Sequence, residues 1–262
     1  MTYIKNRKPT SPGVRHRIDL YNDYLFRGKP LKKLTKGSTK ISGRNNRGQI
    51  TTRHRGQGNK QNSRIKTFLN YNNKGLVLRV EYDPKTNCHL SLVKWYYYEA
   101  DSPRLSYLPA ESKTRAGDQV YVNPNFITKG SVYGLGRLPE GEKIFGVELF
   151  RGSGPKLARS AGMFCKLLKH NQDRGTSVIE LPSKARKELR SDCLATLGEA
   201  SNSSHHLIKL GKAGRNRWKG FRPTVRGEAM NAIDHPHGGN SAGGGPPRTP
   251  WGKLAKWVPS KL

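Results

Sequence analysis

Strand-like patterning is confined to the middle of the chain. "GLVLRVEYD" (75–83) and "CHLSLVKWYYY" (88–98) are rich in β-branched and aromatic residues, and "DPKTN" between them has turn chemistry, so together they predict a hairpin. "RLSYLP" (104–109) and "DQVYV" (118–122) predict two further short strands. After the "NPNF" break come "KIFGVELF" (143–150), "GMFCKLLKH" (162–170) and "TSVIELP" (176–182). "SKARKELR" (183–190) fits a helical turn or another strand equally well. Short strands at close spacing favour small β-barrels, and two of them, over about 64–124 and 125–203, fit the length. Residues 1–63 and 204–262 carry no sustained period of 2 or 3.6 and read as irregular extensions.

Charge follows the same division. The 262 residues hold 49 Lys and Arg against 18 Asp and Glu, a net +31. Between Glu81 and Glu199 the balance is only +4, so the flanks carry +27, and residues 24–80 contain 15 basic residues and no acid. A surplus of this size calls for a polyanion, and like-charge blocks stay solvated until a partner supplies counter-charge. No stretch approaches 18 consecutive apolar residues, which argues against a membrane span. The first twenty residues lack the apolar core of a secretory signal. Cys88, Cys165 and Cys193 are widely spaced with no C-x-x-C pair, so neither a zinc ribbon nor a disulfide framework is expected.

The basic flanks are patterned rather than monotonous. "GRNNRGQITTRHRGQGNK" (43–60) sets Arg44, Arg47, Arg53, Arg55 and Lys60 among four glycines. Glycine lets backbone approach a phosphate chain, arginine offers a planar fork to phosphates and a face to bases, and Asn45, Asn46 and His54 suit base edges or ribose hydroxyls. "KLGKAGRNRWKGFRPTVRG" (209–227) repeats this chemistry through Lys212, Arg215, Arg217, Lys219, Arg222 and Arg226, with Trp218 and Phe221 as stacking platforms. Trp218 serves equally well as an anchor for the extension.

"NAIDHPHGG" (231–239) poses the catalytic question. A metal site at His235 and His237 needs further ligands that no nearby Cys or acidic cluster supplies, and Ser241 in a glycine-rich run is a poor nucleophile. Asn231, Asp234, His235 and His237 therefore read as contact residues rather than catalytic ones, and the family resemblance given below implies that the contact is to RNA. Pro236 stiffens the turn, and Gly238 and Gly239 permit close backbone approach. General-base action by either histidine is the minority reading.

"GRNNRGQITTRHRGQG", "VEYDP", "LARSAG", "DCLATLGE", "GKAGRNRWKGFRPTVRGEAMN", "DHPHGG" and "TPWG" occur in the order that marks the L-two family of large-subunit ribosomal proteins, which this chain resembles from about residue 43 to residue 252. The resemblance implies a mainly β protein: an OB-fold barrel (64–124) followed by an SH3-like barrel (125–203), with long basic extensions (1–63 and 204–262) threaded through large-subunit rRNA. It also implies a structural, non-enzymatic role near the peptidyl transferase region, where the RNA performs the chemistry. Expected partners are rRNA, neighbouring ribosomal proteins and the small subunit across a bridge, with no cofactor, metal, membrane or small-molecule substrate. Two departures stand out. "NSAGGGPPRTPWG" replaces a longer basic run after the double glycine, and the family's Lys/Arg-rich tail gives way to "KLAKWVPSKL". Both point to an organellar, mitochondrial form made inside the organelle, with a plastid or bacterial ribosome as the alternative. An RNA-processing enzyme built on small barrels would need paired carboxylates or a nucleophile in the central body, which offers neither. An RNA chaperone or translation factor would differ in not being a stoichiometric part of isolated subunits.

Overall fold

The computed structural model describes residues 2–68, 73–96, 105–239 and 246–255. The end of the "WYYY" run, Arg104 and most of "NSAGGGPP" lie outside them. Among the described residues no helix is long and apolar enough to cross a membrane.

The fold is mainly β. Two short antiparallel ladders lie in the N-terminal part, β1 (Thr2–Asn6) with β2 (Ile18–Asn22), and β3 (Thr35–Gly37) with β4 (Asn62–Arg64). The expected hairpin is present as β5 (Asn73–Tyr82) and β6 (His89–Trp95), followed by β7 (Leu105–Pro109), β8 (Gln119–Val122), β9 (Val132–Gly134) and β10 (Lys143–Phe145). The chain continues through β11 (Cys165–Asn171), β12 (Thr176–Glu180), β13 (Arg186–Arg190) and β14 (Leu194–Leu197). "SKARKELR" thus resolves as a strand, antiparallel to β12 and burying Leu189 alone.

The expectation of an OB-fold barrel followed by an SH3-like barrel is not met. Strands β5 to β14 form one open ten-stranded sheet in the order β13-β12-β11-β10-β14-β9-β8-β5-β6-β7, and no sheet among the described residues closes on itself. The physical reason lies in the middle of the ladder. β9 pairs antiparallel with β14 and joins β8 in parallel through a single register position, Val122 with Val132. That junction splices the two groups of strands edge to edge instead of letting each curl back on itself. The outer edge of β7 is met by the backbone of Lys66 in an isolated bridge to Tyr107 rather than by another strand.

The two largest hydrophobic clusters among the described residues share this sheet. The first gathers Val77, Val93, Trp95, Val120, Val122, Val132 and Leu194; the second gathers Tyr133, Ile144, Cys165, Leu167, Ile179, Ala195 and Leu197. Side chains alternate across a strand. Neighbours on β9 (Val132, Tyr133) and on β14 (Leu194, Ala195) therefore serve different cores. Two buried carboxylates are matched by hydrogen-bond donors. Glu148 is fully buried and accepts the backbone N–H groups of Gly154 (2.9 Å) and Leu194 (3.0 Å). Asp83 pairs with Lys66 and accepts Thr86 Oγ1 at 2.7 Å. All three cysteines are buried and unpaired, and burial pushes the Cys165 thiol up to about 11.

The N-terminal ladder β1–β2 is held by surface contacts. The rings of Tyr3 and Tyr21 stack 5.3 Å apart, and Asp19 accepts from Arg7 (2.8 Å) and Arg17 (2.9 Å). By backbone proximity the chain divides into two compact units. One comprises residues 1–39 and 60–215, and the other comprises 40–59 and 216–262.

Candidate nucleic-acid interface

The second unit joins the two basic segments that the sequence singles out. Their connection is made by backbone. The Gly56 N–H donates to the Gly220 carbonyl (2.8 Å), Asn59 N–H to Trp218 (2.9 Å) and Arg222 N–H to His54 (3.0 Å). Side-chain volume would obstruct this pairing. Gly58 has φ +60°, and a Cβ there would lie 2.6 Å from the Trp218 carbonyl oxygen. The helix α1 (Ala213–Lys219) buries none of its residues and leads Arg217 and Lys219 into the pairing.

Within 43–59, short-range hydrogen bonds shape the loop. Asn45 Oδ1 accepts the N–H groups of Arg47 (3.0 Å) and Gln49 (2.9 Å), a side-chain-made turn completed by Gly48 at φ +77°. The Gly43 carbonyl accepts from Thr51 (2.9 Å) and Thr52 (3.0 Å). The Asn45 oxygen is thus engaged inside the loop, whereas Asn46 and Arg47 face outward.

Arg44, Arg53, Arg55, Arg217, Arg222 and His54 line one cavity of about 630 Å³, together with Ser42, Ile50, Thr52, Gly56 and Gln57. Among the described residues none of these five arginines forms a carboxylate ion pair. Arg44 donates to the Gly48 carbonyl (2.8 Å), the Arg55 guanidinium lies 5.1 Å from the Phe221 ring centre, and Arg53 reaches Met230 Sδ at 3.7 Å. His54 Nδ1 lies 3.0 Å from the Pro223 carbonyl, which can only accept, so Nδ1 carries the proton. The uncharged lining had no charge pattern to flag it. Ile50, an isolated apolar residue in a basic run, was the available signal.

The "DHPHGG" segment is a compact turn. His235 Nδ1 accepts the His237 N–H at 3.0 Å, and His237 Nε2 accepts the Arg248 N–H at 2.9 Å. Each ring thus spends an unprotonated nitrogen on backbone. His235 is 8% exposed, and its pKa is lowered by burial and by His237 and Arg53 nearby. Its ring packs on Gly227, where a Cβ would lie 2.6 Å from Nδ1. Gly238 makes its close approach to the chain itself. A Cβ there would sit 2.7 Å from the Met230 carbonyl oxygen and closer still to that of Asn231. Positive φ falls at Gly239 (+94°), not at Gly238. Asn231 accepts the Asp234 N–H at 3.0 Å, and both side chains are exposed. Among the described residues no group of three His, Cys, Asp or Glu is arranged to hold a metal.

Of the remaining basic residues, Arg226 is exposed and 3.8 Å from Glu228, and Trp218 is half exposed. Lys60, Lys212 and Arg215 belong to the first unit, where Arg215 joins Arg7 and Arg17 around Asp19 at 3.4 Å. That three-arginine arrangement around one carboxylate has no counterpart in the sequence motifs.

Two family models match the chain: the RNA-binding N-terminal domain of Ribosomal Proteins L2 over residues 31–122, and the C-terminal domain of the same proteins over 128–252. The large ribosomal subunit protein uL2 of Erythrobacter litoralis is 41% identical over 259 residues, covering 97% of this chain and 91% of the relative. That of Alcanivorax borkumensis is 43% identical over 260 residues, with 97% and 90% covered. The uL2m protein of Reclinomonas americana is 40% identical over 264 residues, with 98% and 93% covered. With a paired arginine-rich loop, a structured histidine turn and likeness along nearly its whole length, the chain belongs to the uL2 family of large ribosomal subunit proteins.

Proposed function

We infer that this chain is a structural constituent of the large ribosomal subunit that binds large-subunit rRNA, with peptide-bond chemistry left to the RNA. The observation that carries the reading is the convergence of residues 40–59 and 216–227 in one unit, where the five cavity-lining arginines Arg44, Arg53, Arg55, Arg217 and Arg222 have no carboxylate partners among the described residues. Cations held together without counter-charge suit a phosphate backbone, and the exposed rings of Trp218 and Phe221 suit unpaired bases.

Arg44, Asn46, Arg47, Arg55, Arg217, Lys219, Arg222 and Arg226 are proposed as direct rRNA contacts of the second unit, and Lys60, Lys212 and Arg215 as contacts made by the first unit. Asn45, Arg53, His54, His235, Gly238 and Gly239 are proposed to shape the contact surface, and Asn231, Asp234, His237 and Trp218 are proposed as further contacts. Family membership supports contact with neighbouring ribosomal proteins, and contact with the small subunit through a bridge is proposed beyond it. We further propose the mitochondrial form, a reading supported by the likeness to the Reclinomonas protein and by the altered run after Gly239.

Salt-dependent rRNA binding by the full chain tests the site. Arg44→Ala and Arg217→Ala should each flatten the log–log salt slope by roughly 0.7–0.9. Arg190→Ala, on exposed β13 and already paired with Asp192, should leave it unchanged. Equal slopes for all three would place the contact surface elsewhere.

A further inference from the structure

We propose that the arginine-lined cavity of the second unit receives a single nucleotide extruded from an RNA helix. This rests on the reading of that unit as an RNA-binding surface, and goes beyond it by naming what the cavity holds. Backbone-only recognition of a duplex needs a convex or grooved basic surface, with no recess between the arginines. Here Arg44, Arg53, Arg55, Arg217, Arg222 and His54 line a half-open recess of about 630 Å³. That volume falls in the range of roughly 300–1,000 Å³ typical of sites that enclose a small molecule.

The lining segments are held by backbone hydrogen bonds, Gly56 N–H to the Gly220 carbonyl and Arg222 N–H to the His54 carbonyl, and the Gly43 carbonyl accepts from Thr51 and Thr52. The lining chemistry is mixed in the way a nucleotide requires. Guanidinium groups meet the phosphate, and Ser42, Thr52 and Gln57 can hydrogen-bond to ribose or base edges. Ile50 and the His54 ring offer the base an apolar or stacking face. The bond of His54 Nδ1 to the Pro223 carbonyl fixes the ring and leaves Nε2 outside that bond. A continuous duplex presents no free base to such a recess. A bulged or mismatched nucleotide does, because its unstacking costs little.

The test compares two RNA hairpins of equal length with the full chain, one fully paired and one carrying a single bulged 2-aminopurine riboside. The bulged hairpin should bind about tenfold tighter, consistent with one added stacking contact, and its emission should change on binding. Two variants act on the cavity by different means. Gly56→Leu fills the space beside Arg217 and Arg222, where a Cβ meets only ordinary contacts at 3.5 Å, and Arg44→Gln removes a charge from the rim. In both, the ratio of bulged to paired affinity should fall below about twofold, a readout in which general RNA binding cancels. Equal affinity for the two hairpins, or a preference that survives in both variants, overturns the cavity assignment and leaves RNA binding by the unit standing. Failure of both hairpins to bind overturns the RNA-binding reading itself, and the cavity assignment with it.

Discussion

His235 Nδ1 accepts the backbone N–H of His237 at 3.0 Å, so the first histidine of the turn holds the second in place through its unprotonated nitrogen. A general base needs that nitrogen free. Protonation here would set two hydrogens against each other and open the turn. With its pKa depressed in the fold, His235 stabilises the turn fully above its unfolded value near 6.5, and that contribution is lost as pH falls below it. His235→Asn, which restores a short side-chain acceptor, should keep amide-exchange protection at His237, whereas His235→Ala should lose it. Equal loss in both would remove the acceptor role.

Glycine positions in the same turn give a steric test. Gly238→Ala drives a methyl into the Met230 and Asn231 carbonyls and should cost about 1–3 kcal/mol, read as lower thermal stability or lower incorporation into subunits. Gly214→Ala, in helix α1 with nothing within 4 Å of the new Cβ, should be neutral or stabilising by up to about 1 kcal/mol.

His89 predicts acid sensitivity in the first unit. It is fully buried, with Nδ1 2.9 Å from the Tyr24 hydroxyl and Nε2 3.4 Å from the Asn22 amide nitrogen. Burial, then the charges of Arg115 and His205, lower its pKa to about 4. The unfolded chain therefore takes up this proton at higher pH than the fold does. Stability should fall between about pH 6.5 and 4, by roughly 1.4 kcal/mol per pH unit at most. Denaturant unfolding across that window should lose this slope in His89→Gln.

Glu148 predicts a stability effect without a binding effect. Glu148→Gln turns an amide NH₂ toward a backbone N–H that now donates to carboxylate, and should cost about 1–3 kcal/mol. Chemical denaturation checks the loss. RNA affinity of the folded fraction should be unaltered.

The sequence was legible where one face of a strand is polar or a turn is chemically marked. "DPKTN" between two β-rich runs identified β5 and β6, and β11 and β12 were found for the same reason. β9 and β14 were missed because both of their faces are buried, which erases alternation. These are the two strands that splice the sheet, so missing them went with expecting two separate barrels. β1 was missed for the opposite cause, since all of it is exposed and a tyrosine stack and charges hold it. The candidate site was legible in residue type but not in assembly. Backbone pairing between Gly56 and Gly220 leaves no side-chain signature, and Gly238 was expected to make room for a partner when it makes room for its own chain.

The pairing of His54 with the 218–223 segment also sets an order of events during synthesis. The two strands of that contact are 169 residues apart, so the first must wait, at 5–20 residues per second, roughly 8–35 s for the second to be made. Everything that builds the ten-stranded sheet is translated in the interval. A chain stopped short of residue 216 can still lay down that sheet, but its early arginines have nothing to close against. Formation of the basic cavity is thus a late event of synthesis, reached only by chains long enough to contain both of its segments.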